Sequence, residues 1–280
     1  MKKAVLRERG VKPPDLRSFK RLIYDYYRKH GRSLPWRKTS NPYHILVSEL
    51  MLQQTQVPRV LEKYREFIAR FPDAAALAKA PLRSVLTVWQ GLGYNRRALA
   101  LKQIALALVA QHRGKVPSSF DDLVKLPGVG KATASAILAF AFNRPVVFIE
   151  TNIRTIFIHF FFPGQDEVSD EEIIPLVTKT LDAANPREWY YALMDYGTFL
   201  KKSIANPGRK SRHYHKQTPF DGSNRQVRGR ILRYLTRERQ GTEEEIAEGL
   251  SLDPGKVKSA LLALEKEGLL TRKGAGLTIA

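Results

Sequence analysis

The sequence contains no cysteine among its 280 residues. This absence excludes a disulfide scaffold, a zinc site with cysteine ligands, a cysteine nucleophile and an iron–sulfur cluster held in the usual way by thiolates. The chain also lacks any run of 18 apolar residues, so no membrane span is predicted. Its first residues have no apolar stretch long enough for a secretory signal. We therefore expect a soluble, cytoplasmic protein.

Acidic residues are scarce relative to basic ones. The 47 Lys and Arg residues outnumber the 27 Asp and Glu residues, which gives a net charge of +20. A charge of this size favours a polyanionic partner, either nucleic acid or an acidic membrane surface. No basic amphipathic helix stands out, and we therefore favour nucleic acid over a membrane. Because residues 198–240 contain 12 of the basic residues and two acids, we interpret 202–224 as an exposed basic linker.

Apolar residues recur at helical spacing through most of the chain. Phe19, Leu22, Ile23 and Tyr26 give the first such stripe, and Gly and Pro separate the later ones. The predicted helices include 74–79, 131–142 and 169–184. Period-two alternation is hard to find before residue 268, so the sequence predicts an all-α domain over residues 1–201.

Residues 225–280 carry the signals of a separate small domain. Thr242 and Glu245 have the spacing of a capping box, and Asp253-Pro254 is a typical helix start. The last residues, 269–279, predict a strand, a glycine turn and a second strand. Three helices followed by a β-ribbon predict a winged helix, which usually binds DNA through its third helix, although some winged helices contact only proteins.

The segment LPGVG at 126–130 predicts a hairpin between two helices. Gly128 and Gly130 permit positive φ and expose amides at the start of the next helix, where they can bind a phosphate without reading sequence. An ordinary helix–helix turn is the alternative, but the preceding Leu-Pro and the small residues that follow favour a helix-hairpin-helix motif.

Two carboxylates are candidate catalytic groups. Glu49 lies among apolar residues in the segment SELMLQQTQV at 48–57, where burial could keep it protonated as a general acid. A salt-bridged or exposed glutamate is the alternative. Gln53 and Gln54 suit contacts with base edges or a gap in a base stack. Glu150 follows an apolar run and opens a predicted helix. Taken alone, this segment favours a first-turn acid that the helix dipole stabilises.

Together these segments resemble the helix-hairpin-helix DNA glycosylase superfamily, and within it the adenine glycosylases of the MutY type. The similarity runs from about residue 34 to residue 200. It is carried by LPWR at 34–37, NPY at 41–43, SELMLQQTQV at 48–57, WQGLGY at 89–94, LPGVG at 126–130 and LMDYG at 193–197.

This resemblance implies a role for each matched residue. Glu49 would protonate a flipped adenine, and Glu150 would stabilise or attack the cationic sugar, as two carboxylates do in glycoside hydrolysis. Gln54 and Tyr94 would wedge into the base stack, and the hairpin would hold a phosphate, commonly with a monovalent cation. The remaining expected DNA contacts in this part of the chain are Gln53, Gly128, Gly130, Lys131 and Asn152. The residues expected at the base pocket are Trp36 and Arg37.

The sequence departs from the family at Glu150 and at the position of the lysine nucleophile of bifunctional members. Glu150 replaces the expected Asp, and its extra methylene moves the carboxylate by roughly 1.5 Å, a shift that can cost ~100-fold in rate. Ala132 stands where bifunctional members carry a lysine nucleophile. Lys131 is one residue early, a rotation of about 100° on a helix, so we predict no strong lyase activity.

Two further departures concern the C-terminal part. Most relatives hold an iron–sulfur cluster there, and Lys201 stands about where its first cysteine would be. We expect the basic stretch to contact phosphate instead, through Lys201, Lys202, Arg209 and Lys210. We expect no counterpart of the relatives' domain that recognises 8-oxoguanine, and we expect the winged helix to take its place.

We therefore predict a monomeric, all-α helix-hairpin-helix glycosylase with a C-terminal winged helix. It would act without a cofactor on mismatched double-stranded DNA in a prokaryotic cytoplasm, associated with the nucleoid, and hydrolyse mispaired adenine opposite 8-oxoguanine or guanine. The alternatives are a glycosylase for another base and a DNA mismatch or structure binder with an impaired site.

Overall fold

The computed structural model describes residues 13–216 and 219–280. The start of the chain, where no secretory signal is predicted, falls largely within residues 1–12 and lies outside the described residues.

The helices and strands follow in chain order: α1 Leu16–His30, α2 Pro42–Leu52, α3 Val57–Arg70, α4 Ala74–Lys79, α5 Leu82–Trp89, α6 Arg96–His112, α7 Phe120–Lys125, α8 Lys131–Phe142, α9 Thr151–Phe161, α10 Asp170–Thr180, α11 Pro186–Ser203, α12 Asn224–Glu238, β1 Gln240–Gly241, α13 Glu243–Leu250, α14 Pro254–Lys266, β2 Leu270–Lys273 and β3 Gly276–Ile279. Among these described helices, none has both the length and the apolar character needed to cross a bilayer.

The chain divides into two compact units. The first contains the residues through Ser40 together with Gly130–Lys216, and the second contains Asn41–Val129 together with the residues from 219 onward. The all-α prediction for the larger part of the chain is confirmed. The predicted domain boundary at residue 225 differs from this division, because α12 packs against α5 and joins the C-terminal segment to the second unit.

Aromatic packing forms the core of the first unit, where α11 lies against α1 and α9. Phe19 is fully buried, and its ring lies 5.0–5.4 Å from the rings of Phe157, Phe160 and Phe161. Large buried rings such as these contribute most of the apolar area that stabilises a small helical core.

A buried carboxylate joins the N-terminal segment of this unit to α11. Asp195 accepts two hydrogen bonds of 2.8 Å from the Arg37 guanidinium. It also accepts from the backbone N and the Nε of Arg32, at 2.7 and 2.6 Å. The bidentate geometry compensates the desolvation of both charges, which would otherwise be costly.

The C-terminal part of the second unit has the predicted order of elements. Three helices are followed by an antiparallel pair of strands, and the short β1 completes a three-stranded sheet of order β1-β3-β2. The capping box of Thr242 and Glu245 is confirmed, and so is the cap of Asp253 on α14. The winged-helix assignment and its contact with DNA stay predictions.

The predicted exposed linker is wrong for residues 207–211. Pro207 and Gly208 are buried in a 3₁₀ turn that packs against α9. The backbone pairs with a neighbouring segment, since Val168 N donates to Lys210 O at 3.0 Å and Arg212 N donates to Val168 O at 3.1 Å. Charge composition concealed this packing because the basic side chains of the turn still point to solvent.

We expect the substitution Asp195→Ala to lower the free energy of unfolding by about 3–5 kcal/mol, because the Arg37 side chain, 6% exposed, would lose its buried partner. The matched control is Asp25→Ala, which removes an exposed pair with Arg28 and should cost less than about 1 kcal/mol. Urea denaturation measures both. Equal losses in the two variants would contradict the role given to Asp195.

Candidate functional site

Helix α2 presents Glu49 and then leads into the loop that carries Gln53 and Gln54. Asn41 caps the helix by accepting from the amides of Tyr43 and His44, and Pro42 occupies its first turn. Glu49 is half-buried between the buried residues Ser48 and Leu50. The helix ends at Leu52, and Gln54 then adopts a left-handed conformation with φ 54°.

A buried arginine, Arg97, fixes this loop to the Gly91–Asn95 loop. Its guanidinium donates to the carbonyls of Leu50 and Met51 at 3.0 and 2.8 Å, and also to the carbonyl of Gln53. It reaches the other loop through the carbonyls of Leu92 and Gly93, at 3.1 and 2.9 Å. Burial lowers the pKa of Arg97 to about 10. One cation therefore satisfies backbone acceptors in two loops at once.

Tyr94 lies at the end of the second loop and also has a positive φ, 47°. Its hydroxyl accepts a hydrogen bond of 2.9 Å from Arg225 of α12. The structure thus brings together Gln53, Gln54 and Tyr94, which line a common cavity of about 440 Å³. Sequence reasoning missed both Arg97 and Arg225. For Arg97 a signal was present, since a lone arginine stands on the apolar face of α6 formed by Ala98, Leu101 and Ile104.

The hairpin at 126–130 has the predicted backbone. Gly128 has φ +73°, a conformation that strains other residues, and Val129 N donates to Leu126 O at 3.1 Å. Gly130 is the N-cap of α8, and Lys131 is the exposed first residue of that helix. The backbone of this hairpin and the exposed Lys131 suit contact with a phosphate group. The phosphate contact and the bound monovalent cation stay predictions.

Glu150 belongs to the first unit, where it caps α9. Its carboxylate accepts from the backbone amides of Asn152 and Ile153 at 2.8 and 3.1 Å, and from Asn152 Nδ2 at 3.2 Å. Burial raises the pKa of Glu150, although Lys201 and these hydrogen bonds favour its charged form. The predicted start of a helix at this acid is confirmed, and the carboxylate is held in one orientation.

Lys201 supports this arrangement from α11. Its Nζ donates to Asn152 Oδ1 at 2.9 Å, and burial lowers its pKa. The close approach of α11 to α9 requires a glycine, because a Cβ on Gly197 would lie 2.6 Å from Asn152 O. Iron–sulfur clusters are held by cysteine thiolates, whereas Lys201 has an amine that donates a hydrogen bond to Asn152. Lys201 therefore does not fit as a ligand of such a cluster.

The other predicted contacts fall into two groups. The side chains of Lys202, Arg209 and Lys210 are exposed, as phosphate contacts require. Trp36, predicted at the base pocket, is buried in the first unit. The side chain of Arg37, predicted there too, is 6% exposed and lies 4.5 Å above the Tyr191 ring while paired with Asp195. The contacts of Arg37 are therefore those of a structural residue.

Similarity to known proteins agrees with this geometry. A family model for HhH-GPD superfamily base excision DNA repair proteins matches residues 47–177. The adenine DNA glycosylase of Mycolicibacterium smegmatis is 31% identical over 292 residues, which cover 95% of each chain. The chain belongs to the HhH-GPD superfamily.

Other relatives in the superfamily match a smaller part. The adenine DNA glycosylase of Buchnera aphidicola subsp. Baizongia pistaciae is 37% identical over 65% of this chain and 52% of its own. The chain spans about half the length of several curated relatives that it matches. A thermostable thymine-DNA glycosylase has the same fold, with a TM-score of 0.61 and 24% identity over 66% of this chain and 87% of its own.

We expect Arg97→Met to reduce the free energy of unfolding by at least about 3 kcal/mol, since buried carbonyls of both loops would lose their donor. Arg96→Met is the matched control, because Arg96 is the adjacent residue, is 75% exposed and lies 3.9 Å from its nearest acid. That control should change stability by no more than about 0.5 kcal/mol. Chemical denaturation checks both, and an Arg97→Met protein as stable as the control would refute the tie between the loops.

Proposed function

We propose that this protein is a base-excision-repair DNA glycosylase that hydrolyses the N-glycosidic bond of mispaired adenine. The observation that carries the proposal is the similarity to an adenine DNA glycosylase over 95% of both chains. Within that similarity, Gln54 and Tyr94 line one cavity beside the helix that carries Glu49. The net charge of +20 supports a DNA partner.

The two carboxylates have complementary tasks in this proposal. Glu49 donates a proton to the adenine ring, and the electron pair of the broken bond leaves with the neutral base. Ionised Glu150 stabilises the positive charge that develops on the sugar. Water then adds its oxygen to the sugar carbon and releases a proton, which leaves an abasic site.

The network around Glu150 supports activity despite the longer side chain. The amides of Asn152 and Ile153 and the Asn152 side chain hold both carboxylate oxygens. A carboxylate fixed by three donors needs little reorganisation when the sugar becomes cationic. We therefore infer that Glu150 replaces the family's Asp as the stabilising group.

The reaction proposed is monofunctional and needs no cofactor. Lys131 begins α8, one residue before the position at which bifunctional relatives carry a lysine nucleophile. Its side chain is therefore rotated by about 100° from that position. The protein would act as a monomer on duplex DNA that contains a mismatch, and strand cleavage should require added alkali.

The direct test is single-turnover cleavage of duplexes with adenine opposite 8-oxoguanine, guanine or cytosine, followed by alkali. We expect cleavage of the first two by the unmodified protein, and a loss of at least about 100-fold in Glu49→Gln, because an amide cannot donate the proton. Glu150→Asp should retain activity within about tenfold. Undiminished cleavage by Glu49→Gln would refute the general acid.

One relative favours a second candidate substrate. The thymine/uracil-DNA glycosylase of Pyrobaculum aerophilum is 38% identical over 147 residues, which cover 52% of this chain and 63% of its own. Duplexes with thymine or uracil opposite guanine therefore belong in the same assay. Cleavage of these two alone would replace adenine as the substrate.

The pH dependence should reveal the ionisation of Glu150. Because burial raises its pKa above 4.5 and the reaction needs the charged form, the rate should fall as the pH drops through that raised value. Lys201→Met removes a cation that favours the charge, so the acid limb should move to higher pH. The control Lys202→Met removes an equal charge from the exposed adjacent residue and should leave the limb in place. Equal shifts in both variants would contradict the coupling of Lys201 to Glu150.

A further inference from the structure

The chain that follows α11 turns back and packs against the start of α9. Helix α11 ends at Ser203, and residues 207–210 form a 3₁₀ turn in contact with α9. Asn206 caps this turn, since its Oδ1 accepts from Gly208 N at 3.0 Å. We call residues 204–211 the return segment. It lies against the helix whose N-terminus Glu150 caps.

A glycine makes the close approach of the return segment to α9 possible. Gly208 is buried, and a Cβ at this position would lie 2.8 Å from Thr155 Oγ1. Thr155 is fully buried, so its hydroxyl has little room to move away. Gly208 does not have a positive φ, and the requirement for glycine here is therefore one of space.

Thr155 connects this contact to the residue that follows Glu150. Its Oγ1 donates to Thr151 O at 2.7 Å. The backbone of the same turn meets Glu150 directly, since Arg154 N donates to Glu150 O at 2.9 Å. A shift of Thr155 would therefore move the turn whose amides bind the Glu150 carboxylate.

Helix α11 contacts the same turn through a second glycine. A Cβ on Gly197 would lie 2.6 Å from Asn152 O, and Lys201 Nζ donates to Asn152 Oδ1. The start of α9 thus meets one closely packed glycine in α11 and another in the return segment. Close-packed contacts transmit a displacement, because there is no space in which to absorb it.

The far end of the return segment is fixed as well. Lys210 O accepts a backbone hydrogen bond from Val168, which is fully buried. Two residues after Val168, Asp170 begins α10 and accepts two hydrogen bonds of 2.7 Å from the Arg154 guanidinium. The return segment and the start of α9 are therefore joined a second time, through α10.

On the basis of the proposed function, we propose that Gly208 and Thr155 are positioning residues, through which the return segment holds the Glu150 carboxylate where the sugar becomes cationic. A glutamate side chain has one more rotatable bond than an aspartate, so its carboxylate depends more on the donors around it. A displacement of about 1 Å at a reacting group can cost ~100-fold in rate. Packing at Gly208 would thus control the chemical step through α9.

The test adds one methyl group at the close contact. We expect Gly208→Ala to slow single-turnover release of adenine by at least about tenfold at saturating protein. The dissociation constant for a duplex with a tetrahydrofuran abasic site should change by less than about twofold, since the loss lies in the chemical step. Gly229→Ala is the matched control, because a Cβ there meets no other part of the described chain within 4 Å. It should leave both quantities unchanged.

A double-mutant cycle isolates the contact itself. Thr155→Ala removes the Oγ1 atom that the new methyl group would meet, together with the hydrogen bond to Thr151 O. It should slow release by itself, although by less than Gly208→Ala does. Adding Gly208→Ala to it should then cost less than about twofold, because the two substitutions act on one contact. Thr155→Ser keeps the hydroxyl and should retain the rate of the unmodified protein.

A second readout needs no catalysis. The backbone amides of α9 that bind Glu150 favour its charged form, as does Lys201. Displacing these amides weakens their hydrogen bonds, so Gly208→Ala should raise the pKa of Glu150 above its value in the unmodified protein. NMR titration of carbon-13-labelled glutamate carboxyl groups measures this pKa, and Gly229→Ala should leave it in place.

The outcomes separate this inference from the proposed function. Equal losses in rate and binding, an undiminished cost of Gly208→Ala in the Thr155→Ala background, or an unchanged pKa of Glu150 would overturn the positioning role. Thermal unfolding checks each variant. If Gly208→Ala does not fold, Thr155→Ala must slow release while Thr155→Ser does not. Failure of the unmodified protein to release adenine would overturn the proposed function, while a raised Glu150 pKa in Gly208→Ala would still support the contact with the return segment.

Discussion

The arrangement of the second unit depends on the guanidinium of Arg97. A buried cation is costly unless its donors are satisfied, and here backbone carbonyls from two loops satisfy them. Neither loop could keep its left-handed residue, Gln54 or Tyr94, without support from the surrounding structure. The hydrogen bonds that offset the cost of burying this charge therefore also fix the two segments that line the cavity.

In the first unit, a negative charge is held by hydrogen bonds in a related way. Glu150 caps α9 with its own carboxylate, and Asn152 connects that carboxylate to Lys201. Burial and the nearby cation act in opposite directions on the pKa of Glu150. The balance between them decides the pH at which this carboxylate carries its charge, and with it the pH range of the proposed reaction.

Local sequence rules predicted much of the fold. Helices α4 and α8 coincide with the predicted segments 74–79 and 131–142, because Asp73 and Gly130 precede clear apolar patterns. The helix predicted over 169–184 ends at Thr180, since the Asp182 side chain accepts from the amides of Ala184 and Asn185 and forms a turn. Side-chain caps of this kind compete with helical hydrogen bonds and are weak signals in a sequence.

The candidate site was predicted only in part. Motifs identified Gln54, Tyr94 and Glu150, which the structure places at the cavity and at a helix cap. Motifs did not identify Arg97 or Arg225. The apolar face of α6 marks Arg97 as a buried arginine, but contacts with residues 44 and 131 positions away leave no local pattern that names the partners. For the same reason charge composition assigned 207–211 to solvent, whereas β-bridge pairing with Val168 covers that backbone.

The most direct measurement is the identity of the base released in a single turnover. Duplex DNA with one adenine opposite 8-oxoguanine would be incubated with excess protein, and the free bases separated and identified by mass. We expect free adenine in an amount equal to the abasic sites formed, with both strands intact before alkali. Tight binding with no free base, or release of thymine or uracil alone from the corresponding guanine mismatches, would contradict the excision of adenine by this protein.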